Sequence, residues 1–141
     1  MIFNKAIILS WLILFTSACT TTHHGALEND SAKSQVQKRD YESRVFDTKD
    51  KMRIMQSVVA TLQDLNFVIN KADVELGIVS AVKYEHNREY KMTVLVRARG
   101  TSQIVVRANA SVGSAAIEDP QAFQNFFKSL SQAMFLDAKE I

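Results

Sequence analysis

Two alternating runs, over 92–99 and 104–110, constrain this chain more than anything else in it. Met92, Val94, Val96 and Ala98 alternate with Thr93, Leu95, Arg97 and Arg99, and Ile104, Val106, Ala108 and Ala110 repeat the pattern after Gly100-Thr101-Ser102. Successive side chains of a strand point to opposite faces, so each run presents one apolar and one wetter face. A short polar turn between them makes the strands antiparallel neighbours. A sheet of this kind needs a second layer over its apolar side. Upstream, Leu76, Ile78, Ser80, Val82 and Tyr84 share one parity of a further strand, which ends in the polar turn Glu85-His86-Asn87-Arg88. Phe67 to Asn70 reads as a short strand closed by a turn at Lys71-Ala72-Asp73, and Tyr41 to Phe46 as another.

Two segments have the helical period that could supply the cover. Met52, Met55, Val58, Val59, Leu62 and Leu65 recur at steps of three and four, one stripe of an amphipathic helix. Asp47 or Thr48 is placed to cap its start, and Asn66 to stop it in a left-handed conformation. A second helix is expected after Asp119, with Pro120 at its first position, where a missing N–H costs nothing. Its stripe is Phe123, Phe126, Phe127, Leu130, Ala133 and Met134. The expected domain, residues 41–141, is α+β: a two-layer β-α-β-β-β-β-α unit, its antiparallel sheet carrying two helices on one face.

The first 40 residues belong to a different kind of polymer. Lys5 precedes an apolar run from Ala6 to Phe15 broken only by Ser10, and the small residues Thr16, Ser17 and Ala18 lead into Cys19. Charge, apolar stretch and small-residue cleavage site are the parts of a secretory signal, and the stretch is shorter than the roughly 20 residues that span a bilayer. The sequence Phe15-Thr16-Ser17-Ala18-Cys19 resembles the bacterial lipobox, departing from it at Thr16, where Leu is commonest. That resemblance implies a signal peptide over 1–18 and lipidation of Cys19, with diacylglycerol on its thiol and an N-acyl chain on its new amine. Each buried CH₂ contributes about 0.8 kcal/mol, so several acyl chains hold a protein to a membrane essentially permanently. The residue after the cysteine is Thr20 and not the Asp that would resemble an inner-membrane retention signal, so the expected location is the periplasmic face of the cell outer membrane. From 19 to 40 the chain reads as lipidated cysteine and flexible tether, because Leu27 and Val36 are its only sizeable aliphatics and such a segment buries too little to offset ordering. His23-His24 in that setting is solvated linker.

Further resemblances lie in the body of the chain. The run Arg44-Val45-Phe46-Asp47-Thr48-Lys49-Asp50-Lys51, then Leu62-Gln63-Asp64-Leu65-Asn66-Phe67, then Asp119-Pro120 with Phe126-Phe127, Leu130 and Phe135-Leu136, is similar to small uncharacterised proteobacterial outer-membrane lipoproteins. The element order resembles the helix-grip domains of the lipoprotein BamC. These likenesses imply a topology and no activity.

Catalytic constellations fail at their first requirement. The single cysteine excludes an intramolecular disulfide and a multi-Cys metal site, and His86, in a charged turn, is the only histidine of the expected domain, too few for a zinc site or a Ser-His-Asp arrangement. Gly25, Gly77, Gly100 and Gly113 are too scattered for a phosphate loop, and Asp47 and Asp50 read as helix-start groups. A formal charge of +2 gives no case for nucleic acid. What remains is Arg97, Arg99 and Arg107, on the outward parity of two neighbouring strands beside Leu95 and Val105. Arg beside exposed aliphatics marks binding surfaces, and it also describes the wet face of any antiparallel sheet. The expectation is therefore a lipid-anchored, non-enzymatic accessory or assembly factor, without metal or cofactor, that binds another envelope protein. The alternative is a binder of lipid or a small amphipathic ligand in the groove between sheet and helices. Replacing Cys19 with Ser is expected to leave an unprocessed precursor and to abolish palmitate incorporation; undiminished labelling of that variant would remove the lipoprotein reading.

Overall fold

The computed structural model describes residues 25–137, so the signal peptide and Cys19 lie outside the described residues. The chain divides into two units, Met1–Ala32 and Lys33–Ile141, and the second holds the sheet and the core. The described elements are α1 (Gly25–Glu42), β1 (Ser43–Phe46), α2 (Lys51–Asp64), β2 (Val68–Asp73), β3 (Ile78–Glu85), β4 (Arg88–Arg99), β5 (Gln103–Val112), β6 (Ala115–Ala116) and α3 (Pro120–Asp137). The sheet is antiparallel throughout, in the order β1-β5-β4-β3-β2, with the two-residue β6 also on β5. The expected α+β class and its order of strands and helices are therefore present, with α1 and β6 added.

Directly opposed residues of an antiparallel pair share a face, so the register assigns every side chain. Val79 and Ala81, Met92, Val94 and Val96, and Ile104, Val106 and Ala108 form the inner face and are all buried. Against them pack Ile54, Met55, Val58 and Leu62 of α2 and Phe123, Phe126, Phe127 and Leu130 of α3. Burying a side chain of this size is worth about 1.5–3 kcal/mol, and the rings add edge contacts, Phe126 meeting Phe127 at 5.1 Å in a T-shaped pair. The α3 stripe agrees with its sequence pattern. The α2 stripe is rotated from the expected one: Ile54, Ser57 and Thr61 are buried, while Met52 is 50% exposed.

Local chemistry sets the element ends, in places differently from expectation. Asp50, not Asp47 or Thr48, caps α2, accepting from the Arg53 N–H at 3.0 Å, while the Thr48 hydroxyl accepts from the Asp50 N–H at 3.1 Å. Asn66 adopts φ 64° and Phe67 N–H closes onto the Leu62 carbonyl at 2.9 Å, ending α2 as its sequence suggests. Lys71-Ala72-Asp73 forms no turn; it continues β2 against β3, with a register shift at Asn70. The turn comes after it, where Asp73 Oδ1 accepts from the Leu76 N–H at 2.8 Å. That contact, and the Lys71 ammonium beside it, hold the Asp73 carboxyl below its usual range. His86 and Asn87, at φ 51° and 61°, make the two-residue turn between β3 and β4, the double left-handed geometry that a right-twisted hairpin favours.

Tyr41 and Glu42 end α1 instead of starting β1, and the segment assigned to a tether is helical from Gly25. The composition argument concerns burial, whereas Gln35, Gln37, Lys38 and Arg39 are all good helix formers. From 34 to 40 this helix is largely exposed, and its last turns are tied down by two contacts. The Tyr41 ring lies 5.5 Å from that of Phe123, and Lys38 Nζ donates to Glu118 at 2.8 Å. This exposed bridge raises the Lys38 pKa and lowers that of Glu118.

Two backbone and core details generate predictions. Gly77, at φ 66°, accepts from the Val96 N–H at 2.8 Å, and a Cβ there would collide with the Val96 carbonyl and the Lys51 side chain; Gly100, at φ 64°, has nothing within 4 Å. Gly77→Ala is therefore expected to cost about 2–5 kcal/mol, combining left-handed strain with overpacking, against about 1 kcal/mol for Gly100→Ala. Equal losses in denaturant melts would refute the close approach. Thr61 is fully buried, and its hydroxyl has no hydrogen-bond partner among the described residues. An orphaned buried hydroxyl costs about 1–3 kcal/mol, so Thr61→Val is expected to raise the melting temperature by several degrees; a lower melting temperature would show the hydroxyl to be engaged.

Candidate functional site

Both α2 and α3 pack on one side of the sheet and leave its other side uncovered by either. The outward face is built from Ser43 and Val45 of β1, alternate residues of β5 and β4, and Ile78, Ser80 and Val82 of β3. Leu95, Val105, Ile78 and Val82 are half-buried there, and Val45 is 41% exposed. Such a surface is part apolar and lacks a layer.

Register decides where the three arginines stand. Arg97 faces Val105, Leu95 faces Arg107, and Ser43 faces Arg107 from the other side. Arg97 and Arg107 are thus diagonal neighbours across β4 and β5, with Leu95 and Val105 completing the diamond. Together with Ser43 these residues line a depression of about 280 Å³. Arg107 Nε donates to Ser43 Oγ at 3.4 Å, which steers its guanidinium along the β1 side of the hollow. Arg99 shares the face but stands opposite Gln103 at the hairpin end, outside the depression. The three arginines thus share the outward parity expected from the sequence, and the fold brings two of them together.

Charge on this face is unevenly matched. Lys91 sits 3.4 Å from Glu89, and Lys71 3.4 Å from Asp73, so the outward lysines are each paired with a carboxylate. Among the described residues every salt bridge uses a lysine, and none uses Arg97, Arg99 or Arg107. Asp47, at the same end of the sheet, accepts from Gln103 Nε2 at 2.6 Å and forms no ion pair with them. By contrast Arg44, on the inner parity of β1, is engaged: it lies 5.3 Å above the Phe127 ring and donates to the Asp40 carbonyl at 3.2 Å.

A second concavity, of about 240 Å³, opens where α2 ends beneath the sheet. Its apolar lining includes Leu65, Phe67, Met92 and Phe126, with Lys83 and Tyr90 among its polar groups. Lys83 is paired with Glu85 at 3.1 Å. The sequence places Leu65, Met92 and Phe126 on apolar faces but gives no sign of Lys83 and Tyr90, which reach the inner side through the β3–β4 register. Ser43 was missed for a related reason: β1 meets β5 across 64 residues of chain, and local patterning carries no sign of that pairing. The alternation of Leu95, Arg97, Val105 and Arg107 was the readable signal.

His86 occupies its hairpin turn, and among the described residues no three His, Cys, Asp or Glu side chains gather where a metal could sit. No protein-family model matches the chain, and no curated protein is significantly similar to it.

Proposed function

We propose that this chain is a lipid-anchored accessory or assembly factor of the bacterial envelope, held by acyl chains on Cys19 at the periplasmic face of the outer membrane and docking another envelope protein through its outward sheet face. The observation that carries the docking reading is the contrast between the two sides of one sheet. The inner side is closed by α2 and α3, while the outer side combines half-buried aliphatics with three arginines that pair with no carboxylate among the described residues. Interface centres favour this pairing of apolar contact with Arg. The anchor rests on the sequence from Lys5 to Cys19, and the docking role needs no catalytic group.

The concavity near Phe67 and Tyr90 favours a second reading, the binding of a small amphipathic ligand. Its lining follows the usual pattern of ligand sites, mostly apolar with a few polar groups. Organic extraction of gently purified protein followed by mass spectrometry separates the two: a stoichiometric lipid supports the second reading, and its absence beside a stoichiometric crosslinked protein supports the first.

Replacing Arg97, Arg99 and Arg107 together with Gln tests the docking face. Exposed charges contribute little to stability, so the triple variant is expected to melt close to the parent. Interface arginines can each cost about 2 kcal/mol or more when truncated, so its yield of the crosslinked envelope partner is expected to fall at least tenfold. A variant that folds normally and keeps its partner would sink the docking face.

A further inference from the structure

Two guanidinium groups line one small hollow with an aliphatic floor, and no carboxylate among the described residues pairs with either. We propose that the depression between Arg97 and Arg107 is a carboxylate-recognition site, which receives an Asp or Glu side chain from an extended, apolar-flanked segment of a partner protein. The inference rests on the docking reading and specifies the partner's chemistry.

The argument begins with charge. Arg97 and Arg107 are diagonal neighbours, so their like charges repel, and among the described residues the one side-chain hydrogen bond in the hollow is the long one from Arg107 Nε to Ser43 Oγ. A carboxylate entering between them relieves that repulsion and accepts hydrogen bonds from guanidinium forks, whose planar geometry suits it. The other outward cations are already neutralised, Lys91 by Glu89 and Lys71 by Asp73. Positive charge is therefore concentrated at the β1–β5–β4 end of the face, which sets the position of an acidic partner group and gives the contact its specificity.

The apolar surroundings select a protein over a phosphate-bearing membrane. Leu95 and Val105 floor the hollow, Val45 stands opposite Val105 on β1 at 41% exposure, and Ile78 continues the apolar surface onto the next strand. A lipid headgroup layer presents anions without apolar side chains at the same level. Polybasic attraction to such a layer also depends on many unpaired cations, and this face leaves only three. A segment alternating acidic and apolar residues matches both the arginines and the aliphatics between them.

The test follows the Nε–Hε NMR signals of Arg97 and Arg107 in the full chain, held in uncharged detergent micelles. The probes are the amidated peptides Leu-Asp-Leu-Asp-Leu and Leu-Asn-Leu-Asn-Leu, inorganic phosphate, and bicelles containing phosphatidylglycerol. The Asp peptide is expected to shift both signals saturably while leaving Arg88 unmoved, and to bind at least tenfold more tightly than the Asn peptide or phosphate. Arg97→Gln with Arg107→Gln is expected to weaken it at least tenfold. Equal binding of the two peptides, no saturable shift, or a stronger response to phosphatidylglycerol would overturn the proposal. A photo-crosslinker at Asn109, outward and exposed on β5, keeps the two levels apart. Crosslinking in cells to an acidic segment supports the carboxylate site, crosslinking to a neutral or basic segment overturns it while preserving the docking face, and no crosslink to protein overturns both.

Discussion

The docking of Phe123, Phe126, Phe127 and Leu130 onto the inner face of the sheet is the interaction on which the rest of the domain depends. An antiparallel sheet cannot hide both of its own sides, and the chain places its two amphipathic helices on one. Because α2 connects β1 at one edge to β2 at the other, it must cross beneath the whole sheet. The returning meander β2-β3-β4-β5 then brings β5 back beside β1, and α3 fills the space that α2 leaves. Arg44 shows how tightly this is arranged: on the inner parity of an edge strand, it covers the Phe127 ring with its guanidinium instead of burying it. The outer face is therefore left uncovered by α2 and α3 as a consequence of the topology.

Much of this was legible because period-two alternation is a local signal. The runs around Val94 and Val106 announce both the strands and their faces, and the α3 stripe is equally plain because four large apolar residues fall on one side. Failures came where a non-local contact overruled local chemistry. Lys71-Ala72-Asp73 has the composition of a turn, yet Lys71 and Ala72 find partners in Ser80 and Val79, and the bulge at Asn70 absorbs the irregularity. Met52 has the spacing of a core residue yet is half exposed, while the polar Thr61, outside the apolar stripe, is fully buried. The polar segment before Tyr41 has no burial to recommend it, but helix propensity needs none.

The same division explains the candidate site. That Arg97 and Arg107 face outward follows from parity, and any reader of the alternation finds it. That they share a hollow with Ser43 depends on which strand lies beside β5, and the pairing of β1 with β5 spans most of the domain. The terminal Arg99 has the same parity and charge but no share in the hollow, because it faces Gln103, whose amide is committed to Asp47. Sequence thus gives the face, and only topology gives the site.

The division of labour between lysine and arginine on this molecule fits that site. Lysine supplies all the ion pairs of the described residues, local bridges to carboxylates two or four positions away along the chain apart from the long-range Lys38–Glu118 contact. An ammonium is a compact, strongly hydrated charge that suits such solvated pairs. Arginine is used where a planar, weakly hydrated cation must lie against apolar surface: Arg44 on Phe127, and Arg97 and Arg107 beside Leu95 and Val105. In the first case the fold supplies the apolar partner and backbone carbonyl acceptors. In the second it supplies only the apolar floor and one hydroxyl, so the guanidinium donors retain most of their hydrogen-bonding capacity for a group outside the domain. Replacing these two by lysine would keep the charge but lose the fork geometry and much of the contact with the floor. On this reasoning, charge alone does not define the face; the shape of the cation does.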